Sequence, residues 1–264
     1  MDEDLLHDVF RDDFRQPWDE AAREARWRVR PLPWLSGGDG RATTGPTGLT
    51  VESGPVAPLR GESAFTQPPA EHDGAAAHLR WAAFARPAAG RSPGDAALLR
   101  ARSSLSAEML GTHRHPAGDG PHCAMAAMIF VDLESGMAFD FALTNSTVWA
   151  LYERLPRPGA AHGSFAYAIP VGERAPADRH ECAVDVDRHS GSVRWLLDGT
   201  EVFAVHTVGR LLSSVYDLWL YRPAVGETTD VRVGPLTLGL GLLAGSAHGQ
   251  GARLRARFAA VSAA

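Results

Sequence analysis

From Cys123 to Val208 the chain reads CAMAAMIFVDL (123–133), ESG (134–136), MAFDFALTN (137–145), STVWALYERL (146–155), SFAYAIPV (164–171), ECAVDVDR (181–188), HSG (189–191), SVRWLLD (192–198) and, after Gly199-Thr200, EVFAVHTV (201–208). Apolar residues alternate along these runs, and short turn-forming clusters separate them. Alternation with period two is the pattern of strands with one buried face. Asp198-Gly199 between two such strands is a hairpin signal, because glycine supplies the positive φ of a type I′ turn. Asn145-Ser146 reads as a tight turn of the same kind, and Glu134-Ser135-Gly136 and His189-Ser190-Gly191 as two more.

The same style continues outward. Turn residues punctuate the chain about every eight to twelve residues from Trp27 onward, the spacing of a sandwich or barrel. GLTVES (48–53), HLRWAAFAR (78–86), TDVRVGPLTLGLGLLAG (229–245) and ARLRARFAAV (252–261) read as strands. In the last, Leu254, Ala256 and Phe258 are expected inward and Arg253, Arg255 and Arg257 outward. The glycines of GLGLLAG are read as places where the sheet bends or packs closely. Residues 1–26 form a charged lead-in in which VFRDDF (9–14) suits a short strand and WDEAAREARW (18–27) a helical turn or two. RPAAGRSPGD (86–95) is read as a surface loop, so residues 1–264 are expected to form a single β-sandwich domain.

Composition narrows the function. A hydrophobic fraction of 45% and a charged fraction of 22% suit a chain that buries a real core. A net charge of -5 gives no long-range attraction to nucleic acid or to an anionic membrane. All 26 basic residues are arginine, which removes any Schiff-base lysine. No apolar run reaches the ~18 residues of a membrane span. The acidic start MDEDLLHDVF has neither a basic nor an apolar export region, so a cytoplasmic protein is expected, with Cys123 and Cys182 as reduced thiols.

VFRDDF, GLTVES and HECAVDVDRHSGSVRWLLDGTEVFAV together resemble the concanavalin A-like lectin and glucanase jelly roll. The last segment is similar to the strand–turn–strand of family 16 glycoside hydrolases, in which a Trp-bearing strand runs into an Asp-Gly turn. GMAFDFALTNSTVWALYERLP with FAYAIPVGER is similar to an uncharacterised actinobacterial family of this presumed fold. The resemblance implies an all-β, antiparallel two-sheet jelly-roll sandwich and transfers no catalytic residue. Family 16 enzymes carry carboxylates on alternate residues of one strand. Asp132 and Glu134 have that spacing but fall at a turn.

Candidate chemistry comes from the alternation. Phe139, Phe141 and Leu143 are expected in the core, which turns Asp140 outward among Ala138, Ala142 and Thr144. On the next strand Trp149 and Leu151 are expected inward, with Glu153 after them. Ala150, Tyr152 and Arg154 then face outward. Asp140, Tyr152 and Arg154 are therefore the candidate catalytic cluster, able to bind an oxyanion or polarise a carbonyl, or else a structural hydrogen-bond network. Asn145, Trp149 and Tyr167 are the candidate substrate-binding residues, although Tyr167 and Phe165 on one face also suit core packing. Glu153, if buried, would have a raised pKa and become a candidate general acid.

His113, His115, Asp119 and His122 share the segment GTHRHPAGDGPH (111–122), where solvated histidines are expected rather than a metal site. His206 is expected to pack on its strand. No nucleophile elbow, phosphate-binding loop or dinucleotide fingerprint occurs in a strand–helix context. Neither cofactor nor metal is expected. Three functions stay open. The leading one is a biosynthetic enzyme binding a small molecule and catalysing cyclisation, isomerisation or hydrolysis with acid/base help. The others are a carbohydrate-binding or divergent glycoside hydrolase-like protein, and a non-catalytic binding module.

Overall fold

The computed structural model describes residues 6–18, 26–29, 40–54, 65, 79–86, 96–111, 120, 124–156, 163–244 and 251–264. Within them the chain is almost wholly β. The first sheet contains β1 (His7–Asp12), β3 (Gly40–Gly45), β4 (Gly48–Ser53), β6 (Leu98–Leu110), β11 (His180–Asp187), β12 (Ser192–Leu197), β13 (Thr200–Val205) and β16 (Gly251–Ala263). Its order is β13-β12-β11-β6-β16-β4-β3, with β1 also paired to β16. The second contains β2 (Trp27–Val29), β5 (Leu79–Ala85), β7 (Ala124–Asp132), β8 (Met137–Leu143), β9 (Thr147–Arg154), β10 (Ser164–Glu173), β14 (Leu220–Val225) and β15 (Leu236–Ala244). Its order is β14-β10-β9-β8-β7-β15-β5-β2. All pairings are antiparallel, and the sheets pack face to face as expected from the alternation.

The turns carry the expected conformations. Asp198 and Gly199 have φ of 51° and 81°, both positive as a type I′ hairpin requires. Thr144 N–H donates to the Thr147 carbonyl at 3.0 Å across Asn145-Ser146. The lead-in is built into the sandwich: β1 runs along β16, and Phe10, Phe14 and Trp27 join the core. Trp27 Nε1 donates to Asp12 Oδ2 at 2.8 Å, which satisfies both groups inside it.

Each sheet has an inner and an outer face, and the two outer faces differ. The inner faces meet in one core that includes Leu99, Val184 and Trp195 of the first sheet and Phe130, Phe139, Phe141 and Leu240 of the second. Outside the first sheet, charges pair across strands. Arg253 donates to Glu52 and Glu108 on its two neighbours at 2.8 Å each, and Asp185 accepts from Arg100 and Arg194. Outside the second sheet, Ala127, Ile129, Ala138, Ala142, Leu151 and Ala168 form a separate buried apolar cluster. Gly239 and Gly241 fit its close packing, since a Cβ would sit 2.8 Å from the Phe84 ring at the first and 2.9 Å from Ile129 at the second.

Two strand expectations need correction. The register of β16 slips between Ala256 and Ala259, so Phe258 leaves the core and Ala259, Val261 and Ala263 take over the inward positions. A bulge adds a residue to one strand and so shifts the alternation beyond it. The Phe258 ring instead lies under the Arg11 guanidinium at 5.2 Å. His206 is exposed, because β13 ends at Val205.

Candidate functional site

The hairpin of β8 and β9 sets the site. Its two-residue turn places Phe139 opposite Tyr152, Asp140 opposite Leu151 and Ala138 opposite Glu153. Directly opposed residues share a face. Asp140 therefore shares the outer face with Trp149, Leu151 and Glu153, and Tyr152 lies with Phe139 in the core. The expected cluster of Asp140, Tyr152 and Arg154 is not brought together. The expectation placed the larger apolar residues Trp149 and Leu151 inward, whereas the register reverses β9. One residue of phase moves every side chain of a strand to the other face.

Tyr152 has no solvent exposure. Its ring stacks between Phe139 and Tyr167, with centroids 6.4 and 6.2 Å away. Its hydroxyl donates to the Arg210 carbonyl at 2.9 Å and accepts from Gly209 N–H at 2.8 Å. Burial raises its pKa, which leaves a neutral phenol engaged at both of its hydrogen-bonding roles. Tyr167 is equally a core residue, and its hydroxyl accepts from Leu212 N–H at 3.2 Å. Arg154 follows Tyr152's side of β9 and is buried, with Nε and Nη1 lacking a hydrogen-bond partner. Burial lowers its pKa. Asn145 clamps a backbone: its Oδ1 accepts from Met109 N–H at 2.8 Å and its Nδ2 donates to the Met109 carbonyl at 2.9 Å. Trp149 lies on the outer face instead of inward, its indole N–H donating to Thr144 Oγ1 at 3.2 Å and its ring meeting Trp219 edge-on at 6.4 Å.

Asp140 and Glu153 are two carboxyls of this outer face. They sit on adjacent strands as diagonal neighbours, a relation that separates residues by about 7–8 Å, with Cβ atoms somewhat closer. Burial raises the pKa of Asp140 well above the carboxylate range, and the neighbouring Glu153 charge raises it further. The Phe130 N–H, donating to Asp140 Oδ1 at 2.9 Å, opposes the rise. Burial also raises Glu153, against the pull of Arg222 and of a hydrogen bond from Tyr221. The Tyr221 hydroxyl donates to Glu153 Oε1, and Arg222 Nη2 lies 3.7 Å from Oε2. Asp140, Trp149, Trp219, Tyr221 and Arg222 are partly exposed, whereas Ala138, Ala142 and Leu151 around them are buried. The polar part of the face thus lies on the β14-β10-β9-β8 side.

The Asp132–Glu134 pair is a turn device. Asp132 accepts from Glu134 N–H, Ser135 N–H, Ser135 Oγ and Gly234 N–H at 2.6–3.2 Å, and Glu134 is exposed. Those bonds occupy the carboxylate fully. The possible metal group of His113, His115, Asp119 and His122 lies outside the described residues, as does Cys123. Cys182 is a free buried thiol. Among the described residues no group of three or more His, Cys, Asp and Glu could hold a metal, and no helix is long and apolar enough to cross a membrane.

Tyr221 and Arg222 were missed by sequence reasoning. Their segment LYRPAV (220–225) contains a proline, pairs irregularly with β10 and forms an edge strand, so its alternation is hard to read. The placement of Tyr152, by contrast, was available: a two-residue turn at Asn145-Ser146 pairs Thr144 with Thr147 and carries Phe139 to Tyr152.

Two eight-stranded antiparallel sheets in this order form a concanavalin A-like sandwich, and solved structures agree. β-Agarase A from Zobellia galactanivorans is similar at a TM-score of 0.53 and 9% identity, over 98% of this chain and 92% of that one. An immunostimulatory antigen and pseudo β-1,3-glucanase of Mycobacterium tuberculosis is similar at 0.50 and 14%, over 97% and 99%. The Crh5 transglycosylase in complex with NAG is similar at 0.50 and 12%, over 97% and 84%. Residues 11–264 match a family of unknown function, DUF6081, and the chain belongs to that family. No curated protein matches the sequence.

Proposed function

We propose that this chain is a carbohydrate-binding or divergent glycoside hydrolase-like protein whose site is the outer face of the second sheet around Asp140 and Glu153. The observation that carries this reading is the pair itself: a partly exposed carboxyl, Asp140, and a buried one, Glu153, on neighbouring strands beside an apolar cluster. Charged groups are seldom placed so without a use. The similarity in fold to an agarase, a transglycosylase and a pseudo-glucanase supports the same reading, ahead of the biosynthetic enzyme expected first.

The environments of the two carboxyls divide the roles. Asp140 has the stronger reason to hold a proton, and Tyr221 and Arg222 favour the charged form of Glu153. Such a difference assigns acid to one group and base to the other. In hydrolysis Asp140 would give its proton to the leaving glycosidic oxygen as the bond to the anomeric carbon breaks. Glu153 would take a proton from the attacking water, whose oxygen bonds to that carbon. Trp149 and Trp219 offer apolar ring surface beside the pair, suited to the C–H face of a sugar.

The same face also suits an apolar small molecule, a second reading favoured by Ala127, Ala138, Ala142, Leu151 and Ala168 in its lining. A panel of neutral oligosaccharides and of apolar polycyclic compounds separates the two. Saccharide binding or cleavage lost in both Asp140→Asn and Glu153→Gln supports the first reading. Binding confined to the polycyclic compounds overturns it.

Stability gives these variants a pH signature. A carboxyl whose folded pKa is raised contributes stability below its unfolded pKa, and that contribution is lost as pH rises through the folded value. Asp140→Asn keeps an Oδ1 acceptor for Phe130 N–H and removes the ionisation. Its Tm should therefore match the wild type in acid and exceed it near neutrality, in thermal melts across pH 3–8. A Tm below the wild type at every pH would contradict the raised Asp140 pKa.

A further inference from the structure

The β7–β8 ladder has a gap at Asp140. Met128 pairs with Phe141 and Val131 with Ala138, but the two steps between, Ile129–Asp140 and Phe130–Phe139, are not paired. The register is the same on both sides of the gap, so no residue has been inserted and this is no ordinary bulge. The strands open there and close again.

Two bonds hold Asp140 beside the opening. Phe130 N–H donates to the Asp140 carboxyl at 2.9 Å. The Asp140 carbonyl accepts from Trp195 Nε1 at 3.0 Å. Trp195 belongs to β12 in the first sheet, so this bond crosses the core. The indole has no solvent exposure and is fixed by Phe139, edge-on at 6.1 Å, and by Phe203 at 5.1 Å. A buried indole N–H needs an acceptor, and the carbonyl of Asp140, a residue paired on its other side with Leu151 of β9, supplies it.

We infer that Trp195 is a positioning residue for Asp140, holding its main chain inward from the opposite sheet so that the carboxyl stays in the ladder gap with Phe130 N–H. The importance of this for carbohydrate chemistry rests on the function proposed above, but the positioning itself does not. In Trp195→Phe the Asp140 carbonyl loses its donor inside the core. With that tie gone the β7–β8 ladder is free to close at the unpaired Phe130–Phe139 step, which takes Phe130 N–H from the carboxyl to the Phe139 carbonyl. A hydrogen bond to the charged form holds a carboxyl pKa down, so its loss lets the pKa rise.

The test is an NMR titration of the full chain carrying 13Cγ-labelled aspartate, which needs no ligand and is independent of whether sugars bind. In Trp195→Phe the Asp140 resonance should titrate at higher pH than in the wild type. In Phe203→Leu, which disturbs the packing around Trp195 and keeps its indole, the midpoint should not move. The wild type alone supplies a second reading: the Trp195 indole proton shift should follow the Asp140 midpoint. An Asp140 midpoint unchanged in Trp195→Phe, or an indole shift flat through the Asp140 titration, overturns the inference. Should the titration behave as stated and no saccharide bind, the positioning stands and the proposed function fails.

Discussion

Replacing Tyr152 with alanine should destabilise the protein by about 3–5 kcal/mol, the range for removing a large aromatic side chain from a packed core. The ring stacks with Phe139 and Tyr167 and touches Phe165 at 5.1 Å, so little around it can collapse without breaking those contacts. Tyr152→Phe isolates the hydroxyl. It leaves Gly209 N–H and the Arg210 carbonyl without the partner they have in the wild type, at a cost of about 1–3 kcal/mol. Denaturant unfolding of the three proteins reads both effects. A Tyr152 that served only as a ligand group would lose activity in the phenylalanine variant and keep its stability. The core placement predicts that stability falls in both variants, and further in the alanine one.

Asp185→Ala should be comparably severe, at about 3–5 kcal/mol. Asp185 is 1% exposed and faces three nitrogens: Arg100 Nε at 2.5 Å, Arg100 Nη2 at 2.8 Å and Arg194 Nη2 at 2.8 Å. Removing it takes away the carboxylate that offsets the buried Arg100 guanidinium while the cost of burying that charge remains. Glu201→Gln provides the contrast. Glu201 meets Arg194 at 3.5 Å with both side chains substantially exposed, and such pairs contribute about 0–1 kcal/mol. Urea midpoints for the two variants should therefore separate clearly. Equal, small losses would mean that Asp185 is not the centre of this network.

The strands were legible because their alternation and turns agree. Asp198-Gly199 marked its hairpin, and Phe139, Phe141 and Leu143 marked the inward face of β8. The site was half legible. Asp140 was found on the outer face, but β9 was phased by residue size, which put Trp149 and Leu151 inward and Tyr152 out. Both sides of β9 are buried against apolar neighbours, so size could not decide its phase. The turn at Asn145-Ser146 could. Glu153 was recognised as a candidate acid if buried, and it is buried, on the face of Asp140. Its partners Tyr221 and Arg222 come from an edge strand about seventy residues further along the chain, a contact no local pattern encodes. The Asp140–Trp195 bond is hidden for the same reason, since it joins one sheet to the other.

The central claim is that the outer face of the second sheet receives the ligand at Asp140 and Glu153. Its most direct test is carboxyl 13C NMR of the wild-type chain during titration with the oligosaccharide panel. The account predicts that the Asp140 and Glu153 resonances shift together and saturate together, while Asp185 and Glu52 on the charged outer face of the first sheet stay fixed. Saturable shifts confined to the first sheet, or none at either acid with any saccharide, would contradict it.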